Sequence, residues 1–564
     1  MVISRRRWKK QLMALGRIAT TLAGSVAARY VILWVVPASV AAYALLRYDR
    51  IGADQLAALR YTEDIVGFFE AGVPIAWFIQ EGARLFPDLP ISLLAYGLAL
   101  GHTTVWGVTH AVGVLALLYW ACVHLISAWE KALPKRHAVA TAFILANLVL
   151  ALACPLFARY LLSPIHHTAL LPMSLLLYAS LLWRGSHWSG RSWIPWVLAV
   201  VFGLTIQSDP LFVVWSCLPC WLCSGIISAR RGRWRGFAFA TLVLGSALLV
   251  NAGVGALINT LPFVVLSSGN YLALLPQNGA ETGDRIASLL EAVAGVPGAP
   301  VLIVVFLLAL ALSLAAVWQE LRTKRRTDSS HAFVIGLLFL CSAVVLPVAM
   351  VAANRLAPRY AFYIFHLALF VLLVVDSPIR LIPRGAFRRV LFPVLLALAV
   401  TPAWFYKAGQ TPPRFANVAA ALRDMREAEL IGEEGIANYW LSYPLSEATG
   451  FQLAPVTGAR VEPNLRTANA YDFWRWEDRC PKPRLWSFVI TSREERHRLD
   501  PRKLRQQFGV PDQVMNVTGP GLFQVWLYPN GVGRQEQLYR LVRQQARFAG
   551  MVIDERRDCP QPAP

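Results

Sequence analysis

Residues 85–126 read LFPDLPISLLAYGLALGHTTVWGVTHAVGVLALLYWACVHLI. This run is apolar for longer than a helix in the core of a soluble protein requires, and about 20 apolar residues are enough to cross a bilayer. An acidic turn, Phe86-Pro87-Asp88, leads into it from a polar segment. The stretch therefore predicts a membrane helix over 91–127 that is entered from a polar surface, with Asp88 at its mouth.

The composition of the whole chain agrees with this prediction. The chain has 564 residues, of which 56% are hydrophobic and 15% are charged, and its mean hydropathy is +0.47. Soluble domains carry about 25% charged residues. The shortage of charge excludes an array of soluble domains, which the length alone would suggest, and indicates a polytopic membrane protein.

The net charge of +21 does not indicate nucleic-acid binding. The Lys and Arg residues lie in short clusters between apolar runs, as at Arg230, Arg231, Arg233 and Arg235. Such clusters are typical of cytoplasmic loops that face anionic lipid. The predicted partner of this charge is the lipid bilayer.

About eleven apolar runs are predicted to be membrane spans. They cover residues 29–46, 91–127, 138–162, 168–183, 193–207, 211–228, 237–266, 299–318, 332–353, 360–375 and 390–405. Every second connection between them is rich in Lys and Arg, and the alternate connections are poor in both. Because basic loops stay on the cytoplasmic side, the pattern predicts a cytoplasmic N-terminus, with the loop 47–90 and residues 406–564 on the other side.

Residues 1–405 are thus predicted to form a transmembrane domain, and residues 406–564 an extracytoplasmic domain. Within the latter, ANVAAALRDMREAEL (416–430) has the apolar spacing of a helix, and SREERHRLDPRKLRQQF (492–508) predicts a second helix with Ser492 as N-cap. LWSFVIT (485–491) and LFQVWLYP (522–529) predict strands. The predicted fold class is an α-helical polytopic membrane protein with a C-terminal α/β domain.

The cysteines divide into two groups. Cys217-Leu-Pro-Cys220 has the spacing of a redox or metal motif, but it lies in an apolar run without a nearby His or a second pair, which favours a packing role. Cys480 and Cys559 are in the polar C-terminal region, where an oxidising compartment would allow a disulfide. No metal site is predicted from these residues, and the sequence does not indicate a cofactor.

Carboxylates are concentrated in the first predicted external loop. Asp54, Glu63, Asp64 and Asp88 lie there, around a segment (QLAALRYTEDIVGFFEAG) with helical apolar spacing. Transfer of a sugar to a hydroxyl or amine needs a carboxylate that accepts the proton of the acceptor. These four residues are the catalytic candidates, and Asp54 and Asp88 are the leading two. Solvated loop charges are the structural alternative.

Basic and imidazole side chains mark two further external ends of spans. Arg159 precedes His166 and His167, which could hydrogen-bond to a sugar or a phosphate or serve a structural role. Arg355 and Arg359 lie in a connection that is otherwise poor in positive charge, and guanidinium groups bind phosphate in a bidentate manner. These residues are predicted to bind substrate, with outer lipid headgroups as the alternative for the arginines.

Asp209 follows Ser208 and precedes Pro210 at the external tip between two predicted spans. Ser and Asp before Pro are also favoured in turns for local reasons. Asp209 is therefore a substrate-binding candidate with a turn-forming role as the alternative.

Several short motifs resemble the GT-C integral-membrane glycosyltransferases. They are LFPDL (85–89), HHTALL (166–171), SDPLF (208–212), APRYAFY (357–363), EGIANYWLSYPLSEATG (434–450) and FGVPD (508–512). The resemblance implies a polyprenyl-phosphate-linked sugar as donor and a cell-envelope glycan, lipid or protein as acceptor, at the periplasmic face of a bacterial inner membrane. It also implies a base among Asp54, Glu63, Asp64 and Asp88, and contact of Arg359 with the lipid phosphate.

Two other functions are compatible with the same topology. A flippase or transporter of lipid-linked glycans would place charged residues deep inside spans, along a path, whereas here the ionisable residues cluster at span ends. A non-catalytic assembly protein would use the C-terminal domain to bind a partner. The clustering favours the glycosyltransferase.

Overall fold

The structure is a computed structural model. It describes residues 58–59, 61–63, 65–66, 69, 77–79, 86–99, 103–153, 161, 170–184, 193–260, 264–266, 279–296, 298–322, 330–352, 361–375, 416–457, 466–467, 474–477, 480–483, 486–492, 499–518 and 522–528. The predicted first and eleventh spans, 29–46 and 390–405, lie outside these residues.

The N-terminal two thirds of the described chain is a bundle of helices. In chain order these are α1 (Asp88–Ala99), α2 (Thr103–Ile126), α3 (Leu133–Ala153), α4 (Leu170–Tyr178, continued by a π-helical turn Ala179–Arg184), α5 (Ile194–Ser208), a π-helical turn (Val213–Cys217) that continues into α6 (Leu218–Arg231), α7 (Arg235–Thr260), α8 (Gly279–Ala294), α9 (Ala299–Arg322), α10 (His331–Ala352) and α11 (Phe362–Val374). Among the described residues, five helical segments are long and apolar enough to cross a membrane: Val105–Ile126, Val213–Arg231, Arg235–Ile258, Ala299–Arg322 and His331–Ala352. The chain is a multi-pass membrane protein.

The prediction of one continuous span over 91–127 is wrong. The run forms two helices, α1 and α2, which fold back on each other. The indole Nε1 of Trp106 donates to the carbonyl oxygen of Ser92, and a Cβ on Gly113 would lie 2.9 Å from Cγ2 of Ile91. In one straight helix, residues 91 and 113 would be about 33 Å apart. Hydropathy is the same for a long helix and for a hairpin of two shorter ones, so the run alone could not distinguish them.

The helix ends that carry the basic clusters gather on one side of the bundle, the basic face. Trp129, which follows α2, contacts Trp183 and His331 with ring centroids 5.2 and 5.4 Å apart. At the end of α6, Arg230 donates to the carbonyl oxygen of Glu320 and lies over the ring of Phe333 at 5.7 Å. Connections assigned to one side from charge alone are therefore neighbours in space.

The alternate helix ends meet on the opposite face. The backbone N–H of Phe86 donates to Oγ of Ser208 at 2.6 Å, which joins the approach to α1 to the end of α5. On the same face, strand β1 (Trp77–Ile79) pairs in parallel with strand β2 (Val264–Leu266). This pairing corrects the predicted seventh span, 237–266, because the helix ends at Thr260 and its last three predicted residues form a strand.

The C-terminal part contains a six-stranded mixed sheet in the order β5-β4-β3-β8-β10-β9. Its strands are β3 (Glu434–Asn438), β4 (Gln452–Thr457), β5 (Arg466–Thr467), β8 (Phe488–Ser492), β9 (Gln513–Val517) and β10 (Phe523–Leu527), and a separate hairpin joins β6 (Trp474–Glu477) to β7 (Cys480–Pro483). Helices α12 (Ala416–Glu427) and α13 (Tyr439–Thr449) are packed on the sheet through a core that includes Leu422, Leu441 and Ile490. The predicted helix at 416 and the two predicted strands occur here.

The helix predicted to begin at Ser492 begins later. Ser492 is the last residue of β8, and the helix α14 is Pro501–Phe508. Its N-cap is Asp500, whose Oδ1 accepts from the backbone N–H of Arg502 at 2.9 Å. A capping carboxylate followed by Pro at the first helical position is a stronger start signal than the isolated serine.

Candidate functional site

Two acidic turns of the sequence are brought together by one hydrogen bond. Phe86 lies two residues before Asp88, and Ser208 lies one residue before Asp209. The bond from the Phe86 N–H to Oγ of Ser208 measures 2.6 Å, and the same hydroxyl donates to the carbonyl oxygen of Leu204 at 2.9 Å. The serine thus links the end of α5 to the start of α1, although 122 residues separate Phe86 from Ser208 in the chain.

Asp88 is the first residue of α1 and is only 8% exposed. A carboxylate at this position is stabilised by the free N–H groups and the dipole of the helix. Such a role accounts for an acid at the position but does not require its burial. A carboxylate that is buried and held at a fixed helix end is positioned as a general base requires.

Asp209 is 2% exposed and ends α5. Its Oδ1 accepts from the backbone N–H of Leu211 at 3.0 Å, and its own N–H donates to the carbonyl oxygen of Thr205 at 2.9 Å. The first bond is the turn-forming contact expected of Asp before Pro. The turn-forming role is therefore present, and it fixes the carboxylate beside the Phe86–Ser208 contact.

A cluster of buried hydroxyls lies where three helices meet; we call it the hydroxyl cluster, and its members are Ser174, Tyr178, Ser216 and Tyr363. The Ser174 hydroxyl bonds to that of Ser216, and the Tyr178 hydroxyl bonds to that of Tyr363. The Ser216 hydroxyl donates to the Tyr363 hydroxyl at 3.4 Å. In addition, the ring of Trp215 stacks on Tyr363 with centroids 5.2 Å apart.

The cluster joins the helices that follow three of the candidate motifs. Ser174 and Tyr178 are in α4, which begins shortly after His167 in the sequence. Ser216 lies in the π-helical turn Val213–Cys217, which begins four residues after Asp209. Tyr363 is the second residue of α11, shortly after Arg359. π-helical turns occur often at functional sites. The three helices therefore run side by side from positions close to the three motifs.

Within the described residues, the helices next to the candidate motifs are also the shorter ones. The apolar helices of 10–17 residues among these residues are Asp88–Ala99, Leu170–Trp183, Ile194–Ser208 and Phe362–Val374. The described residues continue past both ends of Ile194–Ser208 and of Phe362–Val374. At 1.5 Å per residue these two helices are about 20–23 Å long, whereas the hydrocarbon core is roughly 30 Å thick. The Phe86–Ser208 contact lies at the end of the first of them, on the side opposite the basic face.

Glu63 lies in a different environment. Residues 58–59, 61–63, 65–66 and 69 are helical, as predicted, and Leu59, one turn before Glu63, packs with Ala99, Trp106 and Tyr443. This contact is at the far end of α1, about 16 Å from Asp88 along the helix. Glu63 itself is half-buried, one turn beyond this contact.

The remaining candidate residues lie outside the described part of the chain. These are Asp54, Asp64, Arg159, His166, His167, Arg355 and Arg359. Cys559 is also outside it, so a disulfide with Cys480 stays a prediction. Cys217 and Cys220 are buried and free, as a packing role requires. Among the described residues, no three His, Cys, Asp or Glu side chains lie close enough to hold a metal ion.

Sequence reasoning missed Ser208 and the hydroxyl cluster. Ser208 was visible in the motif SDPLF, but its role as acceptor for Phe86 depends on a contact between distant parts of the chain. Tyr363 is the last residue of the motif APRYAFY, and the other members of the cluster are single Ser and Tyr residues inside apolar runs, each within about two turns of a candidate motif. Their position in or near the motifs is the signal that the sequence offers.

Comparison with known proteins gives a likeness at the level of structure. No family model matches the chain, and no curated protein matches it. Among solved structures, the chain is similar to the crystal structure of ArnT from Cupriavidus metallidurans bound to undecaprenyl phosphate, with 14% sequence identity, a TM-score of 0.47, and coverage of 88% of this chain and 97% of that one.

Proposed function

We propose that the chain is an inverting glycosyltransferase of the GT-C type, which transfers a sugar from a polyprenyl phosphate to a cell-envelope glycan, lipid or protein. The reaction takes place on the face opposite the basic face, which is the periplasmic side of a bacterial inner membrane. Residues 1–405 supply the transmembrane domain with its cytoplasmic N-terminus, and residues 406–564 supply a periplasmic α/β domain.

The observation that carries the proposal is the contact between two buried acidic turns on the face opposite the basic face. Asp88 and Asp209 are both buried, and each adjoins the hydrogen bond from Phe86 to Ser208. A donor anchored by a polyprenyl chain has its phosphate near the membrane surface. Carboxylates buried beside such a phosphate would be shielded from bulk water, which strengthens the electrostatic contacts that they make.

Asp88 is the proposed base. It accepts the proton of the acceptor hydroxyl or amine as that atom forms a bond to the anomeric carbon of the donor sugar. The bond between the anomeric carbon and the phosphate oxygen breaks with inversion, and the polyprenyl phosphate leaves with the electron pair. Asp209 hydrogen-bonds to the sugar or the acceptor, and Asp54 in the same loop is the second candidate for the base.

Arg359 is the proposed partner of the departing phosphate, with Arg355, Arg159, His166 and His167 as further ligands of the lipid-linked sugar. Support comes from the helices that follow these residues, because α4 and α11 meet in the hydroxyl cluster. A guanidinium group at the leaving phosphate stabilises the charge that develops in the transition state. The proposal requires no metal ion.

Purified full-length chain in lipid nanodiscs, incubated with radiolabelled polyprenyl-phosphate sugars and an envelope extract, tests the proposal. We expect label to appear in a product no longer linked to phosphate. Asp88→Asn should lower turnover by about 10²–10⁴-fold, the usual contribution of a positioned base. Asp424→Asn, at an exposed carboxylate of α12, is the matched control and should leave turnover unchanged.

Turnover retained in Asp88→Asn would remove Asp88 as the base, and the same test on Asp54→Asn would then identify or exclude the second candidate. Movement of labelled lipid across vesicles without any covalent product would instead favour the transporter. The absence of both activities with every donor would contradict the proposal as a whole.

A further inference from the structure

Helix α8 has three chemically distinct faces. Residues three or four apart share a face of a helix. One face is buried and contains Arg285 and Leu289. The second is exposed and apolar, with Gly283, Ile286, Ala287, Leu290 and Ala294; the third is exposed and polar, with Asp284, Ser288 and Glu291. An ordinary surface helix needs only two faces, one toward the protein and one toward water.

The buried face attaches α8 to the end of α10. The Arg285 guanidinium donates through Nη1 to the carbonyl oxygen of Val351 at 2.9 Å and more weakly to that of Ala352 at 3.4 Å, and its Nη2 forms an ion pair with Glu281. The carbonyl groups at a helix end lack partners within the helix. Arg285 satisfies them, so α8 is fixed at the opposite face, where α10 ends.

The apolar exposed face is followed closely in the chain by a span whose surface lipid must cover. Ile286 is 45% exposed and Leu290 is 66% exposed. After four intervening residues the span α9 begins at Ala299, and its side chains Val304 and Leu307 are 55% and 54% exposed. Since α9 is long and apolar enough to cross a membrane, these side chains face acyl chains. Helix α8, attached to the end of α10 and followed at once by a span, therefore lies where the chain enters the bilayer.

We infer that α8 lies along the bilayer–water interface of the face opposite the basic face, with Ile286 and Leu290 among phospholipid acyl chains and Asp284, Ser288 and Glu291 in water. Interfacial helices are distinguished by such a division between an apolar and a charged side. The partner is the phospholipid of that leaflet. The inference goes beyond the proposed sugar transfer and does not depend on it, because it concerns only the contact with the bilayer.

The test uses full-length chain in vesicles of phosphatidylethanolamine and phosphatidylglycerol. The photo-crosslinking residue p-benzoylphenylalanine replaces Leu290 in one variant and Ser288 in a matched variant two positions away. Both must elute as the parent chain does, and irradiated protein is analysed by intact mass spectrometry. We expect lipid adducts from position 290 to exceed those from position 288 by about tenfold, since the two positions lie on different sides of one helix.

Equal lipid adducts at the two positions would overturn the inference, as would the absence of lipid adducts at position 290. Crosslinks from position 290 to this chain or to a second copy would also overturn it, because they would show that protein covers the apolar exposed face. A second pair of variants keeps the test independent of the crosslinker. Leu290→Asp should weaken protection of residues 279–294 from hydrogen exchange in vesicles, whereas Ser288→Asp should leave it unchanged; equal effects would count against the inference.

Discussion

Gly203 allows α5 and α7 to pack closely, and replacing it by Ala should move the end of α5. A Cβ at this position would lie 2.7 Å from Cβ and Cγ1 of Val250 and 2.8 Å from the carbonyl oxygen of Ala247. The valine is branched at Cβ and the oxygen is part of the backbone, so neither can rotate away. Small residues of this kind permit close approach of helices in membranes.

The expected magnitude follows from two opposed terms. Ala in place of Gly inside a helix gains about 1 kcal/mol from propensity, and overpacking costs about 1–3 kcal/mol. Because Val250 and the Ala247 carbonyl group are rigid neighbours, the overpacking cost lies near the upper end of this range, which leaves a net loss of about 1–2 kcal/mol in the free energy of unfolding. Gly245→Ala in α7 is the matched control, because a Cβ there meets nothing within 4 Å; only the propensity term remains, and the control should gain up to about 1 kcal/mol.

The two variants therefore should shift stability in opposite directions. The measurement is unfolding in mixed micelles with increasing SDS, followed by far-UV circular dichroism. Gly203→Ala should also lower sugar transfer, because α5 ends at Ser208, where the Phe86 contact is made. A stabilised Gly203→Ala variant, or equal shifts in both variants, would refute the reasoning about close packing.

Three further predictions concern single contacts. Ser208→Ala removes the acceptor of the Phe86 N–H and should cost about 1–3 kcal/mol in unfolding free energy together with part of the turnover; unchanged SDS unfolding and activity would contradict the role of this bond. Asp500→Ala removes the N-cap of α14 and should lower the free energy of unfolding by about 0.5–2 kcal/mol, measured as faster hydrogen exchange over residues 501–508. Asp500→Asn should lose less stability, because its side-chain oxygen can still accept; equal losses would argue against capping. Gly435→Ala places a Cβ against the ring of Phe488, 2.8 Å from Cδ2, and should make the amides of β3 and β8 exchange faster. A second variant that also carries Phe488→Leu should recover part of the lost protection, and no recovery would point to a backbone requirement instead.

The two faces of the bundle could be predicted because their signal is local. Basic side chains such as Arg230 are costly in a bilayer at any position, so their spacing along the chain reports the side on which each connection lies. The contact of Arg230 with Glu320 joins two connections that were assigned to one side from charge alone. The same holds for the helix at 416, whose apolar spacing is a property of a single element.

The hairpin of α1 and α2 could not be predicted, because hydropathy sums residues without regard to direction. Only Gly101, between Ala99 and Thr103 in the sequence, is a residue type that favours a reversal. The shortness of α5 was closer to being visible, since its predicted range, 193–207, was already too short for a straight span.

The candidate site is predicted by its motifs and not by its geometry. Asp88 and Asp209 stand out because acids at span ends are unusual, which is information in the sequence. Their proximity depends on the Phe86–Ser208 bond, and the bond depends on the fold of the whole bundle. Glu63 lies in the same predicted external loop as the leading candidate Asp88, and the packing of Leu59, one turn before Glu63, in a cluster with Tyr443 distinguishes the surroundings of the two.

The parallel pair of β1 and β2 has a consequence for biosynthesis. Trp77 pairs with Val264, so the first loop reaches its final hydrogen bonding only after roughly 190 more residues have left the ribosome, about 10–40 s at usual elongation rates. During that interval its strand edge is open to chaperones and proteases of the receiving compartment. A nascent chain arrested before residue 264 should therefore be cleaved in this loop by added protease, and one arrested well beyond it should resist.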